Sequence, residues 1–284
     1  MRSVALLPPP EISAPADLAM ELTGRDYISH SQIEQFRRCP RKFAFTYVEG
    51  AQPDFIPQSL LFGSGIHAAL ECYYQRRLQG QDTDLPQLME VFESRWNHRR
   101  EGEAGIPARL NKTDTEDSIK DLADRMITSF LASPLAAPKG KIIAIEEKFR
   151  SPVAADLPDV VSVVDLIVID DEAIHLVDFK TSRSRWSEDK AAEGAGQLQL
   201  YAQMAGHMGE PGMNTRMHFA VLTKAKKPIV QFLEVPDKPG AADQLVATFR
   251  EVWAAMQSRN FYPIPSPMNC STCPFKSRCP AYFG

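Results

Sequence analysis

The chain has 284 residues, 44% of them hydrophobic, enough to bury a sizeable core in one large domain or in a domain with an accessory lobe. A net charge of -4 excludes a chain that advertises nucleic-acid binding by its overall charge, so any such function has to rest on a local site. No apolar run approaches the roughly 20 residues that cross a bilayer, and the five cysteines, an odd number in a chain with no secretory signal, argue against a disulfide framework and for a cytoplasmic protein.

Residues 1–27 are Pro-rich and are expected to form a loose leader. In "SHSQIEQFRRCPRKFAFTYV" the Ser31 to Glu34 spacing suits a capping box, and apolar residues on both sides of Pro40 predict two short helices with a break at Cys39-Pro40. Helical patterns follow at 63–78, 85–99 and 114–132, so that 28–135 reads as a helical part. From residue 141 the period becomes alternating. "KIIAIEEKFR", "DVVSVVDLIVID" and "AIHLVDFK" predict three consecutive strands, followed by a helix at "GQLQLYAQMAGHM", strands at "RMHFAVLT" and "PIVQFLEV", and a helix over about 240–260. Strands flanked by helices indicate an α/β sheet, here a core over 141–260 with an irregular, Cys-rich segment over 261–284. Basic clusters at 37–42, from 76, from 180 and from 223 each read first as solvated surface charge.

Side chains alternate faces along a strand, so Asp178 and Lys180 share one face with Ile174 and Leu176. On the preceding strand Asp165 interrupts the row Val161, Val163, Ile167 and Ile169, and on the strand before that Glu147 alternates with Ile143, Ile145 and Phe149 while Glu146 falls on the more polar face. A bare buried carboxylate costs several kcal/mol unless it is paired or holds a cation. Salt bridges from Asp178 or Asp165 to Lys180 would meet that need by packing alone. A divalent cation, Mg2+ or Mn2+, meets it for all the acids at once, with water activated by the metal and Lys180 orienting the nucleophile or stabilising charge on a phosphate. That chemistry is phosphodiester hydrolysis. "RSRW" just beyond the strand could give phosphate contacts from Arg183 and Arg185 and a stacking surface from Trp186, or could be a solvated loop. The motif "C-x2-C-x5-C" at Cys270, Cys273 and Cys279 has ligand spacing but is one thiol short of four.

The ordered set "GSGIHAALE" with His67, Glu147, "VVDLIVID" with Asp165, "LVDFKT" with Asp178 and Lys180, and "QLQLY" with Gln197 and Tyr201 resembles the PD-(D/E)XK nuclease superfamily and, within it, the RecB-type exonuclease branch. The resemblance implies a restriction-endonuclease-like mixed central sheet flanked by helices. It also implies Asp165, Asp178, the Phe179 carbonyl and His67 as metal ligands, Lys180 as catalytic lysine, and Gln197 and Tyr201 near the active site. In RecB-type nucleases with an iron-sulfur cluster, such as AddB and exonuclease V, one cysteine precedes the nuclease core and three follow it, which makes Cys39 the fourth ligand of a 4Fe-4S cluster capping the N- and C-terminal segments. Zinc is the rival on ligand chemistry alone. Cys72 has no place in the pattern.

The resulting expectation is a metal-dependent deoxyribonuclease, an exonuclease acting on single-stranded DNA ends in repair, recombination, or CRISPR or phage DNA processing. The alternative is a nuclease-fold subunit that binds DNA ends beside a helicase or integrase partner and cleaves little itself. The chain has no phosphate-binding loop of the G-x-x-x-x-G-K-[ST] type, so a motor, if needed, belongs to a partner.

Overall fold

A computed structural model describes residues 14–102, 105–205 and 213–282. In chain order the elements are α1 (Pro15–Thr23), β1 (Tyr27–Ser29), α2 (His30–Arg38), α3 (Pro40–Phe43), β2 (Ile56–Pro57), α4 (Gln58–Leu78), α5 (Leu85–Gly102), β3 (Ala108–Arg109) and α6 (Glu116–Leu131). There follow β4 (Lys141–Ser151), β5 (Asp159–Ile169), β6 (Ala173–Ser182), α7 (Glu188–Glu193), α8 (Gly196–Ala205), β7 (Asn214–Thr223), β8 (Val230–Val235), α9 (Ala241–Gln257) and α10 (Pro267–Cys270).

The leader is shorter than its composition suggests. Pro15 sits in the first turn of α1, Gly24 closes the helix in the left-handed conformation with its N–H on the Met20 carbonyl, and Ala19 and Leu22 are buried in the same cluster as Trp253 and Met256. The first 13 residues lie outside the described part. The capping box also moves: Ser29, not Ser31, accepts from the Gln32 N–H, and the Gln32 side chain accepts from the Ser29 N–H at 2.8 Å. The break at Cys39-Pro40 stands where expected, because Cys39 is extended and serves as the C-cap of α2 and the N-cap of α3.

The central sheet is mixed and runs β4-β5-β6-β7-β8, antiparallel except for the parallel β6–β7 pair that the α7–α8 crossover makes possible. Strand β5 changes partners along one edge. Leu166 to Ile169 pair with β6, whereas Asp159 to Val161 pair in parallel with β1, leaving the stretch from Ser162 to Asp165 open between them. The nominally helical first part thus contributes a strand to the sheet. One face of the sheet packs Leu166, Val168, Val177, Phe179, Ala220 and Leu222 against α4, α5 and α6; the other packs Val164, Ile174, Leu176 and Phe219 against α7 and α8, with α2 and α9 beyond. The fold is an α/β sandwich of restriction-endonuclease type. Among the described residues no helix is long and apolar enough to cross a membrane.

Candidate active site and cysteine cluster

The fork in β5 is where the site forms. Beyond Leu166 the β5–β6 ladder stops, and the Asp165 carboxylate takes over from a backbone carbonyl by accepting the Phe179 N–H at 2.5 Å. That bond ties the strand carrying Asp165 to the strand carrying Asp178 and Lys180. Asp165 and Asp178 are both buried. The other Asp165 oxygen lies 3.4 Å from His67 Nδ1, which α4 delivers from the opposite layer. His67, Glu146 and Asp165 each present one ligand atom within 4.8 Å of the others.

Glu146 replaces the expected Glu147, which is exposed. The pairing keeps one register from Ala144 to Ser151, yet Ile145 faces α4 to α6 while Phe149, four residues on, faces the other layer, so the alternation breaks between them, at Glu146. Glu146 itself has φ +51°, a left-handed conformation that costs a glutamate on the order of 1–3 kcal/mol and turns its carboxylate toward Asp165.

On the α8 side, Lys180 Nζ lies 2.6 Å from Asp178 Oδ2 and donates to Gln197 Oε1 at 3.2 Å, while Gln197 Nε2 donates to the buried Tyr201 hydroxyl one turn on. Two of the three ammonium donors are thus committed to positioning the lysine. The site also includes His30 at the start of α2, which lines the same cavity as Lys180 and Gln197. Its only sequence signal was its place ahead of the helix.

The electrostatics suit a cation-binding site. Burial, with Asp165 next, pushes Glu146 up to about 7, and burial pushes Asp178 up to about 6 although Lys180 and His67 oppose it. Burial disfavours charge on His67, but the Asp165 hydrogen bond and the surrounding carboxylates outweigh it and raise its pKa. Burial lowers His30 to about 4, and the Lys180 charge adds to this. Crowded acids that resist ionisation, facing a histidine with a lone-pair nitrogen, are a suitable donor set for a hard divalent ion.

A cavity of about 580 Å³ runs from Lys180, Gln197 and His30 to the four cysteines Cys39, Cys270, Cys273 and Cys279, all of which line it. Burial raises the Cys273 thiol, and the neighbouring Cys39 and Cys279 add to the effect. Thiolates are the donor type that Zn2+ or an iron-sulfur cluster takes. The segments that carry them also meet through direct contacts: Asn269 Nδ2 donates to the Arg38 carbonyl at 2.9 Å, Arg41 N–H to the Tyr262 carbonyl at 3.1 Å, and Phe45 packs on Phe275 at 5.3 Å. Cys72 is half-buried against the α4–α6 core, apart from the others.

The residues of "RSRW" diverge. Trp186 is half-buried, with Phe219 at 5.2 Å and Lys190 over its ring at 4.9 Å, and it lines the catalytic cavity without offering a free stacking face. Arg183 is exposed on a different groove, and Arg185 is exposed.

The model of the PD-(D/E)XK nuclease superfamily matches residues 27–280. The chain belongs to this superfamily. The Gene 69 protein of Mycobacterium phage L5 is 23% identical over 292 residues, covering 89% of this chain and 96% of the phage protein. A candidate exonuclease from Eubacterium rectale has a similar crystal structure, with a TM-score of 0.53 at 12% identity, over 95% of this chain and 92% of that one. At that identity the likeness speaks for the shared fold.

Proposed function

We propose that this nuclease is a divalent-metal-dependent deoxyribonuclease, an exonuclease acting on single-stranded DNA ends. The observation that carries the proposal is the convergence at the β5 fork of Asp165, Glu146 and His67 on one side and Asp178 and Lys180 on the other. His67, Glu146, Asp165 and Asp178, with the Phe179 carbonyl, would hold Mg2+ or Mn2+, which when bound supplies Lewis acidity at the phosphate and lowers the pKa of water. Asp178 and Gln197 fix Lys180 from two directions, leaving its third N–H for the phosphate or the attacking water. Tyr201 buttresses Gln197 from behind. A cavity bordered by α2 and the C-terminal cysteine segment suits an unstacked strand better than a duplex, and the description of the Eubacterium rectale neighbour agrees with an exonuclease.

A 4Fe-4S cluster on Cys39, Cys270, Cys273 and Cys279 fits the same proposal as a structural clasp. In this proposal residues 28–284 make up a single nuclease unit, acting in repair, recombination or phage or CRISPR DNA processing, with or without a helicase or integrase partner. The decisive experiment incubates anaerobically purified protein with end-labelled single-stranded DNA and Mn2+ or Mg2+, beside Asp178→Ala and Lys180→Ala. Metal-dependent cleavage by wild type that vanishes in both variants is expected. Binding without cleavage by well-folded wild type would instead identify an end-binding subunit.

A further inference from the structure

A second groove, of about 700 Å³, lies beyond the end of β6 from the catalytic cavity and is separated from it by the cysteine segment, whose Thr272 lines both. Its charge is one-sided. Arg109, Lys112, Arg183 and Lys224 line it against a single carboxylate, Asp114, in a chain whose net charge is -4. Among the described residues none of the four cations forms a salt bridge. Asp114 is already occupied, accepting from Gln58 Nε2 at 2.7 Å and from Asn111 Nδ2 at 2.8 Å.

The groove is also built, not merely exposed. Gln58 is buried and uses both ends of its amide on the loop carrying the cations, since its Oε1 accepts the Asn111 N–H at 2.7 Å while its Nε2 holds Asp114. The β2–β3 pair sets Pro57 opposite Arg109, and Arg109 stacks over Phe55 at 4.6 Å. On the facing wall Lys224 lies over Phe62 at 4.9 Å, and its N–H binds the Ser182 carbonyl at 2.7 Å, which fixes Arg183 next to it.

Position links this groove to the active site. Arg183 comes three residues after Lys180, at most about 10 Å further at ~3.3 Å per residue. The helix that presents His67 also supplies Ser59 and Phe62 to the groove, one to two turns earlier. Cations on both walls of a groove, none of them in a salt bridge among the described residues, match the repeating charge of a sugar-phosphate backbone, not a single anion.

We propose that the groove of Arg109, Lys112, Arg183 and Lys224 is a non-catalytic binding site for the phosphate backbone of the same nucleic-acid strand, holding the part that extends past the scissile phosphate. The inference rests on the nuclease reading above. It makes length of substrate matter: a strand that reaches both cavities binds more tightly than one that fills the catalytic cavity alone.

The test measures fluorescence anisotropy of labelled oligothymidylates of about 4 and about 16 nucleotides against salt, in the Lys180→Ala background so that nothing is cleaved. The Arg109→Ala/Lys112→Ala pair is compared with the background protein. It should weaken the long strand roughly tenfold and flatten its log-log salt slope by about 1.4, given ~0.7 per phosphate contact for single strands. Lys112→Glu, at an exposed position that makes no salt bridge among the described residues, should do the same in part without touching the fold. Unaltered affinity and slope for the long strand in these variants would overturn the groove and leave the nuclease reading intact. A background protein that binds neither length would overturn both.

Discussion

At the level of single residues, the choice between two adjacent glutamates is the sharpest test of the metal site. Glu146 faces His67 and Asp165, and Glu147 is exposed. Loss of an outer-shell partner typically costs ~10–100-fold in metal affinity, and a direct ligand costs at least that. Glu146→Gln should therefore weaken Mn2+ binding, followed by calorimetry, by about tenfold or more, whereas Glu147→Gln should leave it within about twofold. The reverse order would return the site to regular alternation. Asp165, Asp178 and Lys180 were legible in the sequence because charged residues stand out in apolar rows of regular strands. Glu146 was not, since strict alternation places it on the wrong face. A single left-handed glutamate leaves no mark in "KIIAIEE", where isoleucines fill both faces.

Among the elements, α4 is held close to its neighbour. A Cβ on Gly65 would lie 2.6 Å from the ring of the buried Phe92 on α5. Alanine would gain ~0.5–1 kcal/mol of helix propensity, but forcing a rigid, enclosed ring to move costs ~1–3 kcal/mol. Gly65→Ala should thus lower stability by about 1 kcal/mol in urea unfolding, and it should displace His67, two residues on, enough to weaken metal binding. A rise in stability would show that α4 and α5 part easily. The β6–β7 pair predicts a pH response. His175 Nε2 meets the Asp170 carboxylate at 2.9 Å, so by the hydrogen-bond pattern its Nδ1 accepts from His218 Nε2 at 3.0 Å, leaving His218 Nδ1 buried without a partner. Burial, then the charge of His175, lowers His218 to about 4, against ~6.5 when unfolded. The unfolded chain binds the extra proton first, so stability is complete above about pH 6.5 and falls as pH drops toward 4, by up to about 3 kcal/mol from this residue. Urea midpoints between pH 7 and 5 should drop accordingly, and His218→Phe, which keeps a ring against Phe232, should flatten the curve. An equal slope in the variant would assign the effect elsewhere.

On the scale of the whole molecule, the order of strands and the flanking helices were legible because the hydrophobic period switches cleanly at residue 141. The pairing of β1 with β5 was not, because three residues show no period, and it is this long-range pairing that ends the β5–β6 neighbourhood and opens the fork for Asp165. Helix α1 was hidden by the prolines before it, although Pro15 and Gly24 punctuate it in the usual places. The cysteines pose the largest question of this kind, since a group held by all four would join residue 39 to residues 270–279. Tying Cys39 to Cys270 would close a loop of more than two hundred residues, which by chain entropy alone would stabilise the folded form by about 5 kcal/mol. The hydrogen bonds from Asn269 to Arg38 and from Arg41 to Tyr262 also dock the tail, but each is partly exposed or a single contact of roughly 1 kcal/mol. Removing one ligand should therefore loosen the tail more than the core. Protein purified without oxygen should contain iron and acid-labile sulfide in equal amounts, and Cys273→Ser should lose both, lower the thermal midpoint by several degrees and expose 261–284 to protease first. Zinc in place of iron would keep the clasp and change its chemistry; an intact midpoint and an equally resistant tail in Cys273→Ser would show that the docking contacts alone close the molecule.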